Sequence, residues 1–299
     1  MPGLSDYSAQ NILAYVTGGL AVPALPSVWV GLYTAMPTSD AGTGGTEVSG
    51  GGYARVQVAG TATTNATTAA ANATLHFAST PAWIVAGMTV RDVTAPSVIP
   101  AGTTVLSVTG TTVVMSANAT GAGVGGTDSI CFSIWPTPTA SVGTEPAVVP
   151  ATVTNGAVVT FATASASWGT VLGFGTFDSL AGGNTLAFDY LGNFNWLPAT
   201  MSTASPGVIT VHAHGYSAAD PVVVTAKYGG VLPTFSQSNL TGPLAVVGPA
   251  TDTFTVTNGG TAVNTSATGD FAVRKIVQQQ IPSGITPSFA ASSLTLNMA

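Results

Sequence analysis

The chain has 299 residues, of which 45% are hydrophobic and only 5% are Asp, Glu, Lys or Arg, against about 25% charged residues in an ordinary soluble domain. Its formal net charge is −6 and it has five basic residues. Nucleic-acid binding needs several clustered cations, so the composition argues against that function. So few ionisable groups leave little for proton chemistry, and a surface poor in charge suits a protein that packs against copies of itself or other subunits.

Membrane, targeting and cysteine patterns are also restrictive. The longest apolar stretches fall short of the roughly 20 residues that a membrane-spanning helix needs. The apolar segment at residues 12–25 has no basic region before it, so neither a signal peptide nor a membrane partner is predicted. Cys131 is the single cysteine, which excludes an intrachain disulfide and a cysteine-based metal site. Its apolar neighbours predict a buried strand thiol.

One helix is predicted, at the start of the chain. Ser5 or Asp6 supplies a side-chain oxygen for the N-cap, and the glycine pair at 18–19 ends the helix. Four apolar residues are spaced to form one face, which we expect to pack against the rest of the protein. They are Tyr7, Ile12, Leu13 and Val16.

Everything after the helix indicates short strands separated by turns. Residues 28–33 predict a central strand, 37–52 a loop rich in Gly, Ser and Thr, and 53–58 a strand with period-two alternation. Residues 59–73 form a low-complexity Thr/Ala/Asn tract. Two runs of strand and turn signals follow, the first of them ending in a Pro-rich linker at 136–150. Aromatic-rich strand signals at 155–161, 168–178 and 281–298 are typical of an antiparallel sandwich.

Seven short blocks carry a family resemblance through their order along the chain. They are residues 4–7, 28–33, 44–55, 168–171, 177–178, 182–184 and 287–296. Together they resemble a family of small structural proteins of tailed bacteriophages, described as tail-fibre-like or virion proteins. Two segments, 74–146 and 200–273, interrupt the pattern. Each resembles small β modules that recur in phage appendage proteins, through residues 87–90 and 100–105 in the first and 213–216 and 220–223 in the second.

These observations predict an all-β protein: an antiparallel β-sandwich core with one N-terminal helix and two inserted small β domains. The core is expected to be discontinuous and to comprise residues 1–72, 147–199 and 274–299. The first insert spans 74–146 with its linker, and the second spans 200–273. Exposed loops tolerate insertions because closing a longer loop costs little. Each insert is therefore expected to bury a small core of its own.

Candidate chemistry is sparse. His212 and His214 lie two apart and would share one face of a strand, with Asp220 as a third metal ligand. A turn at His214 is the favoured alternative, and no metal is predicted. Glu47, Asp178 and Asp189 are the carboxylates available for glycoside hydrolysis. Asp178 is more simply explained as an Asx-turn residue. No catalytic residue and no cofactor are therefore predicted.

The aromatic residues give the candidates for recognition. Trp29 and Trp168 lie within apolar strand signals and are predicted to be core residues. Trp196 is flanked by Asn193 and Asn195 and is predicted to be a surface aromatic. The candidate surface-recognition residues are Trp196, Tyr216 and His214.

The favoured function is a non-enzymatic structural component of a phage virion, either a tail appendage or fibre or a head decoration. The core would anchor the protein and the inserts would project for surface interaction. The composition predicts a homo-oligomer. The resemblance implies a trimer as the first choice, other virion proteins as partners, and a virion location after assembly in the host bacterial cytoplasm. The alternative is a carbohydrate-binding module that contacts host-surface glycans. A glycosidase or depolymerase is least favoured.

Overall fold

The computed structural model describes residues 3–18, 27–39, 41–136, 152–192, 196–227, 231–236 and 242–297. Most of the predicted linker at 136–150 lies outside these residues. The described part of the chain has one α-helix, and its strand pairings are antiparallel. The predicted all-β class with antiparallel sheets and a single N-terminal helix is confirmed.

The elements follow one another in short segments. The helix α1 spans Asp6–Val16. The first fourteen strands are β1 Gly3–Leu4, β2 Val28–Ala35, β3 Thr46–Glu47, β4 Val56–Thr63, β5 Thr74–His76, β6 Thr89–Asp92, β7 Val105–Thr109, β8 Thr112–Met115, β9 Ser129–Ser133, β10 Thr152–Thr154, β11 Val159–Thr160, β12 Gly169–Val171, β13 Gly173–Phe177 and β14 Thr185–Tyr190. The remaining twelve are β15 Leu197–Met201, β16 Ile209–Thr210, β17 Pro221–Ala226, β18 Thr234–Phe235, β19 Leu244–Val247, β20 Thr253–Asn258, β21 Thr261–Ala262, β22 Thr265–Ala267, β23 Phe271–Lys275, β24 Gln279–Ile281, β25 Ser288–Phe289 and β26 Thr295–Asn297.

The main sheet has the strand order β1-β14-β13-β2-β4-β9-β6, and β3 also pairs with β2. Its β4 strand reaches Thr63, into the tract at 59–73 that the sequence presented only as low complexity. A glycine suits position 60 of this strand because side chains lie close to its backbone. A Cβ added at Gly60 would lie 2.7 Å from the Gln57 amide nitrogen and 3.3 Å from the Trp83 ring.

The C-terminal strands return to the middle of the chain. β24 pairs with β12, β25 with β11 and β26 with β10. Leu294, in this C-terminal segment, belongs to the same hydrophobic cluster as Val30 of β2. The C-terminal strands therefore pack with the segment around 152–171 and not with residues 200–273, as a discontinuous core requires.

The two predicted inserts differ in how they pack. Within 74–146, β6 and β9 extend the main sheet through β4, and Phe132 shares one cluster with Leu32 and Leu75. This segment therefore has no separate core, contrary to expectation. The reason is that buried side chains of β9 face the same cluster as those of β4, which local strand patterns do not reveal. The domain boundaries themselves stay a prediction.

Residues 197–273 form a second unit with its own hydrophobic cluster. Its strands run β16-β15-β23-β17-β19-β20-β21, and β16 also pairs with β20, which closes six of them into a ring. Phe254, Phe271 and Val273 lie inside this ring and are almost fully buried. This unit has a hydrophobic core of its own, and its folding as a separate insert stays a prediction.

The helix α1 is capped as predicted but packs differently. The Ser5 hydroxyl oxygen accepts a hydrogen bond from the Ser8 amide at 3.2 Å, and Ser5 is fully buried. No helix residue is buried, and Leu13 and Val16 are 63% and 72% exposed. The expectation that the apolar face packs against the protein is wrong. The half-buried residues Ser8, Asn11 and Ala14 recur every third position instead.

Candidate functional site

A cleft of about 480 Å³ separates the main sheet from the second unit. Its floor and walls combine apolar and aromatic residues with hydroxyl groups. The main-sheet side supplies Met36, Leu172, Phe188, Tyr190, Thr34, Thr38 and Ser39, and the second unit supplies Val223, Val224, Thr225 and Leu244 together with Trp196. An apolar hollow with a few convergent hydroxyl groups is the usual form of a small-ligand site.

A buried ion pair lies beside this cleft and joins the two parts of the protein. Arg274 of β23 is 1% exposed, and its Nη2 lies 2.5 Å from Oδ1 of Asp189 in β14. The guanidinium also lies 4.8 Å from the centre of the Trp196 ring and 5.7 Å from that of Tyr190. Burial raises the pKa of Asp189, while the hydrogen bond and charge of Arg274 oppose this effect. The guanidinium therefore helps to fix the rings of Trp196 and Tyr190 at the cleft.

A second polar network organises the Gly-rich loop at 44–55. Glu47 accepts hydrogen bonds from Tyr53 at 2.7 Å and from Arg55 at 2.8 and 2.7 Å. The Arg55 guanidinium lies 3.4 Å from the centre of the Phe177 ring. Arg55 also donates to the carbonyl oxygens of the turn at 179–182. Burial is the main cause that raises the pKa of Tyr53. This network fixes loops and leaves no free nucleophile or base.

Each carboxylate considered for glycoside hydrolysis has a structural partner. Glu47 is bound by Arg55 and Asp189 by Arg274. Asp178 accepts hydrogen bonds from the backbone and side-chain nitrogens of Asn184, both at 2.7 Å, which agrees with its predicted turn role.

The two histidines considered as metal ligands lie in different surroundings. The His212 side chain is 94% exposed and lies 3.3 Å from Asp252, whereas His214 is buried. Asp220 contacts Lys275 at 2.7 Å. The described residues contain no group of three or more His, Cys, Asp or Glu side chains arranged to hold a metal ion.

The three candidate recognition residues are not brought together. His214 is 7% exposed, its Nδ1 accepts a hydrogen bond from the Tyr216 amide, and its ring packs 4.9 Å from those of Tyr216 and Phe254. Burial in this cluster gives His214 a packing role and keeps it off the surface. Tyr216 is half-buried in the same cluster. Trp196 alone reaches the cleft, and its recognition role stays a prediction.

The other aromatic and cysteine expectations have mixed outcomes. Trp168 is 4% exposed and donates its indole N–H to the Gly51 carbonyl at 2.9 Å, as expected of a core residue. Trp29 is only half-buried. Cys131 lies in β9 as predicted but is half-buried, and burial raises its pKa while Arg91 opposes the shift.

The sequence did not reveal the cleft, because its walls include strands far apart in the chain, such as β2 and β19. It also missed the outward orientation of α1. The sequence signal for that orientation was present: Ser8, Asn11 and Ala14 form a stripe of small and polar residues opposite the apolar positions. Within the described residues, no helix is long and apolar enough to cross a membrane.

Comparison with known proteins gives one match. Residues 3–134 match the family model of the podophage GP4 fiber I protein gp80. Searches among curated proteins and among solved structures gave no match. The matched region spans α1 and β1 to β9, and so includes most of the first predicted insert. The match supports a family of fibre-type structural proteins of the phage virion, and it confirms the resemblance recognised in the sequence.

Proposed function

We propose that this chain is a non-enzymatic structural protein of the phage virion that assembles through α1. The observation that supports this most strongly is the inverted orientation of the helix. Its small and polar stripe faces the protein, while Ile12, Leu13 and Val16, which share the opposite side of the helix, are 41%, 63% and 72% exposed. Exposed apolar residues grouped on one side of a helix mark an interaction site.

A second copy of the chain is the partner that fits this helix. Asp6, in the first turn, is its single charged residue. Copies can therefore pack helix against helix without burying an uncompensated charge in the middle of the interface. Closed symmetry is the usual way to bury such a surface, and a trimer is our first choice. Contacts with other virion proteins would use the remaining charge-poor surface.

Light scattering after size-exclusion chromatography at low micromolar concentration tests self-association. We expect an oligomer for the native chain and a monomer for the double variant Leu13→Ser/Val16→Ser. Leu106, 58% exposed on β7, supplies a matched control, because Leu106→Ser removes exposed apolar area outside the helix. A native monomer would overturn self-association. An oligomer that survives the double variant would overturn the role of α1.

The absence of catalysis is supported by the engagement of Glu47, Asp178 and Asp189 in structural contacts. Glycoside hydrolysis needs two carboxyl groups that flank the scissile bond. We expect no release of reducing ends from host cell-surface polysaccharide incubated with the purified protein. Release that is lost in Asp178→Asn or Glu47→Gln would contradict this proposal.

We place the protein in a tail appendage, because the matched family is described as a fibre protein. The main sheet and α1 would anchor it, and the unit at 197–273 would project. Electron microscopy of virions labelled with antibody against residues 200–273 tests this placement. Labelling of the tail is expected, and labelling spread over the head would favour a decoration protein.

The cleft supports a second candidate function, the binding of a host-surface glycan. Trp196 and Tyr190 offer aromatic faces for sugar rings, and Thr34, Thr38 and Thr225 offer hydroxyl groups. A glycan array tests it. We expect binding that is lost in Trp196→Ala and retained in Leu106→Ala, which removes an exposed apolar side chain outside both the cleft and α1. No binding by the native chain, or equal binding by both variants, would contradict this candidate.

A further inference from the structure

Two carboxylates outside the cleft lie close together with no basic partner. Asp92 ends β6, and Asp128 immediately precedes β9, the strand with which β6 pairs. Asp92 is paired in register with Ile130, two residues beyond Asp128, so the two acids lie at the same end of adjacent strands. Burial raises the pKa of Asp92, and the charge of the nearby Asp128 carboxylate adds to this shift.

The Asp92 side chain is buried and only partly satisfied. The residue has 0% exposure, and its Oδ1 accepts a hydrogen bond from the Ala95 amide at 2.8 Å. Its other oxygen, Oδ2, is buried and accepts no hydrogen bond from the residues that the structure describes. A buried carboxylate oxygen without a donor is costly, so this oxygen calls for a positive or protonated partner.

The surrounding backbone holds Asp128 in a fixed position. Its Oδ2 accepts a hydrogen bond from the Gly125 amide at 2.6 Å, and its own amide donates to the Thr64 hydroxyl at 3.0 Å. Thr64 is itself buried and donates to the Gly125 carbonyl at 2.7 Å. The Asp128 side chain is half-buried, so solvent reaches the pair from this side.

The chain's own cations are engaged elsewhere. There are five Lys and Arg residues. Four of them bind other carboxylates, in the pairs Arg55–Glu47, Lys227–Asp270, Arg274–Asp189 and Lys275–Asp220. The fifth, Arg91, lies opposite Cys131 in the strand register and interacts with its thiol. Two neighbouring carboxylates that lack an internal counter-charge require a proton or an external cation.

We propose that Asp92 and Asp128 form a binding site for one divalent cation, with Ca²⁺ as the ion that fits. Ca²⁺ takes six to eight oxygen ligands in flexible geometry, whereas Mg²⁺ demands a near-ideal octahedron. Two carboxylates supply the charge, and water reaching the half-buried Asp128 supplies the remaining ligands. Sites with few charged ligands bind Ca²⁺ weakly, with Kd values of about 10⁻⁴ to 10⁻³ M. The ion would tie the β6–β9 end of the main sheet together.

Thermal unfolding and calorimetric titration test the site on the full chain. In 10 mM CaCl₂, compared with EDTA at pH 7, the transition that includes β6 and β9 should rise by about 3 to 10 °C. Titration calorimetry should show one site per chain. Asp92→Asn and Asp128→Asn should lose both the shift and the titration signal. Asp6→Asn makes the same charge change at an exposed position of α1 and should keep both.

Three outcomes would overturn the proposal. The first is that Ca²⁺ has no effect on the native chain, which would mean that a shared proton alone satisfies the pair. The second is that Ca²⁺ stabilises Asp92→Asn and Asp128→Asn as much as the native chain, which would place the ion elsewhere. The third is that Mg²⁺ at the same concentration gives an equal shift, which would indicate a nonspecific charge effect. The measurement on the native chain decides the first outcome even if one variant fails to fold.

Discussion

The buried pair of Arg274 and Asp189 should be the strongest single link between the main sheet and the second unit. The side chains are 2% and 11% exposed and join β23 to β14 at 2.5 Å. Removing one partner of a buried pair leaves an uncompensated charge and costs about 3–5 kcal/mol. Arg274→Met would also remove the contacts with the rings of Trp196 and Tyr190. Asp189→Leu and Arg274→Met should each lower the midpoint of thermal unfolding by about 6 to 20 °C.

The double variant Asp189→Leu/Arg274→Met should recover most of this loss, because replacing a whole buried pair by apolar residues is often neutral. The assay is thermal unfolding followed by far-ultraviolet circular dichroism and tryptophan fluorescence. Lys227→Met is the matched control, since it breaks a pair whose side chains are 37% and 62% exposed, and such pairs contribute about 1 kcal/mol or less. Strict additivity of the two single variants, or losses no larger than that of the control, would refute the reasoning.

Three further predictions concern single positions. Gly31→Ala should lower the free energy of unfolding by about 1–3 kcal/mol, because its Cβ would lie 2.7–2.8 Å from three side chains. Gly126→Ala, whose Cβ would have no contact under 3.6 Å, should be tolerated. Equal midpoints of thermal unfolding for the two variants would contradict this. Asn155→Ala should cost about 2–4 kcal/mol, since the buried amide makes three hydrogen bonds of 2.8 Å; a urea-denaturation midpoint close to that of the native chain would argue against it. Burial raises the pKa of Asp92, so in EDTA its contribution to stability should fall as the pH rises above its ordinary pKa of about 4. Asp92→Asn should lack this fall in melts between pH 4 and 7, and an identical pH profile would exclude Asp92 as the cause.

The low number of basic residues limits how many carboxylates can have a basic partner, and the composition alone does not say which ones. Four of the five basic residues pair with Glu47, Asp189, Asp220 and Asp270, and neither Asp92 nor Asp128 has a basic partner among the described residues. The composition showed that basic side chains are scarce. The fold determined which Asp and Glu side chains form ion pairs with them.

Local patterns in the sequence predicted the elements and the family resemblance. The hydroxyl of Ser5 and the positive φ of Gly18 fix the ends of α1, because helix capping and helix termination depend on neighbouring residues. Alternating apolar residues and turn residues predicted the all-β class, and the order of short blocks predicted a phage virion structural protein. Each of these patterns involves only a few neighbouring residues, so it can be recognised in the sequence without a tertiary structure.

Only the tertiary structure decided which surfaces meet. The spacing of apolar residues in α1 predicted a face but not that Leu13 and Val16 point away from the protein. The strand signals of 74–146 predicted a module but not that β9 joins β4 and shares its core. The cleft beside Trp196 is lined by β2 and β14 on one side and by β17 and β19 on the other, and the ion pair beside it joins Asp189 to Arg274, 85 positions apart. Pairing between distant strands depends on the burial of the whole sheet, and a local pattern of alternation is compatible with many partners.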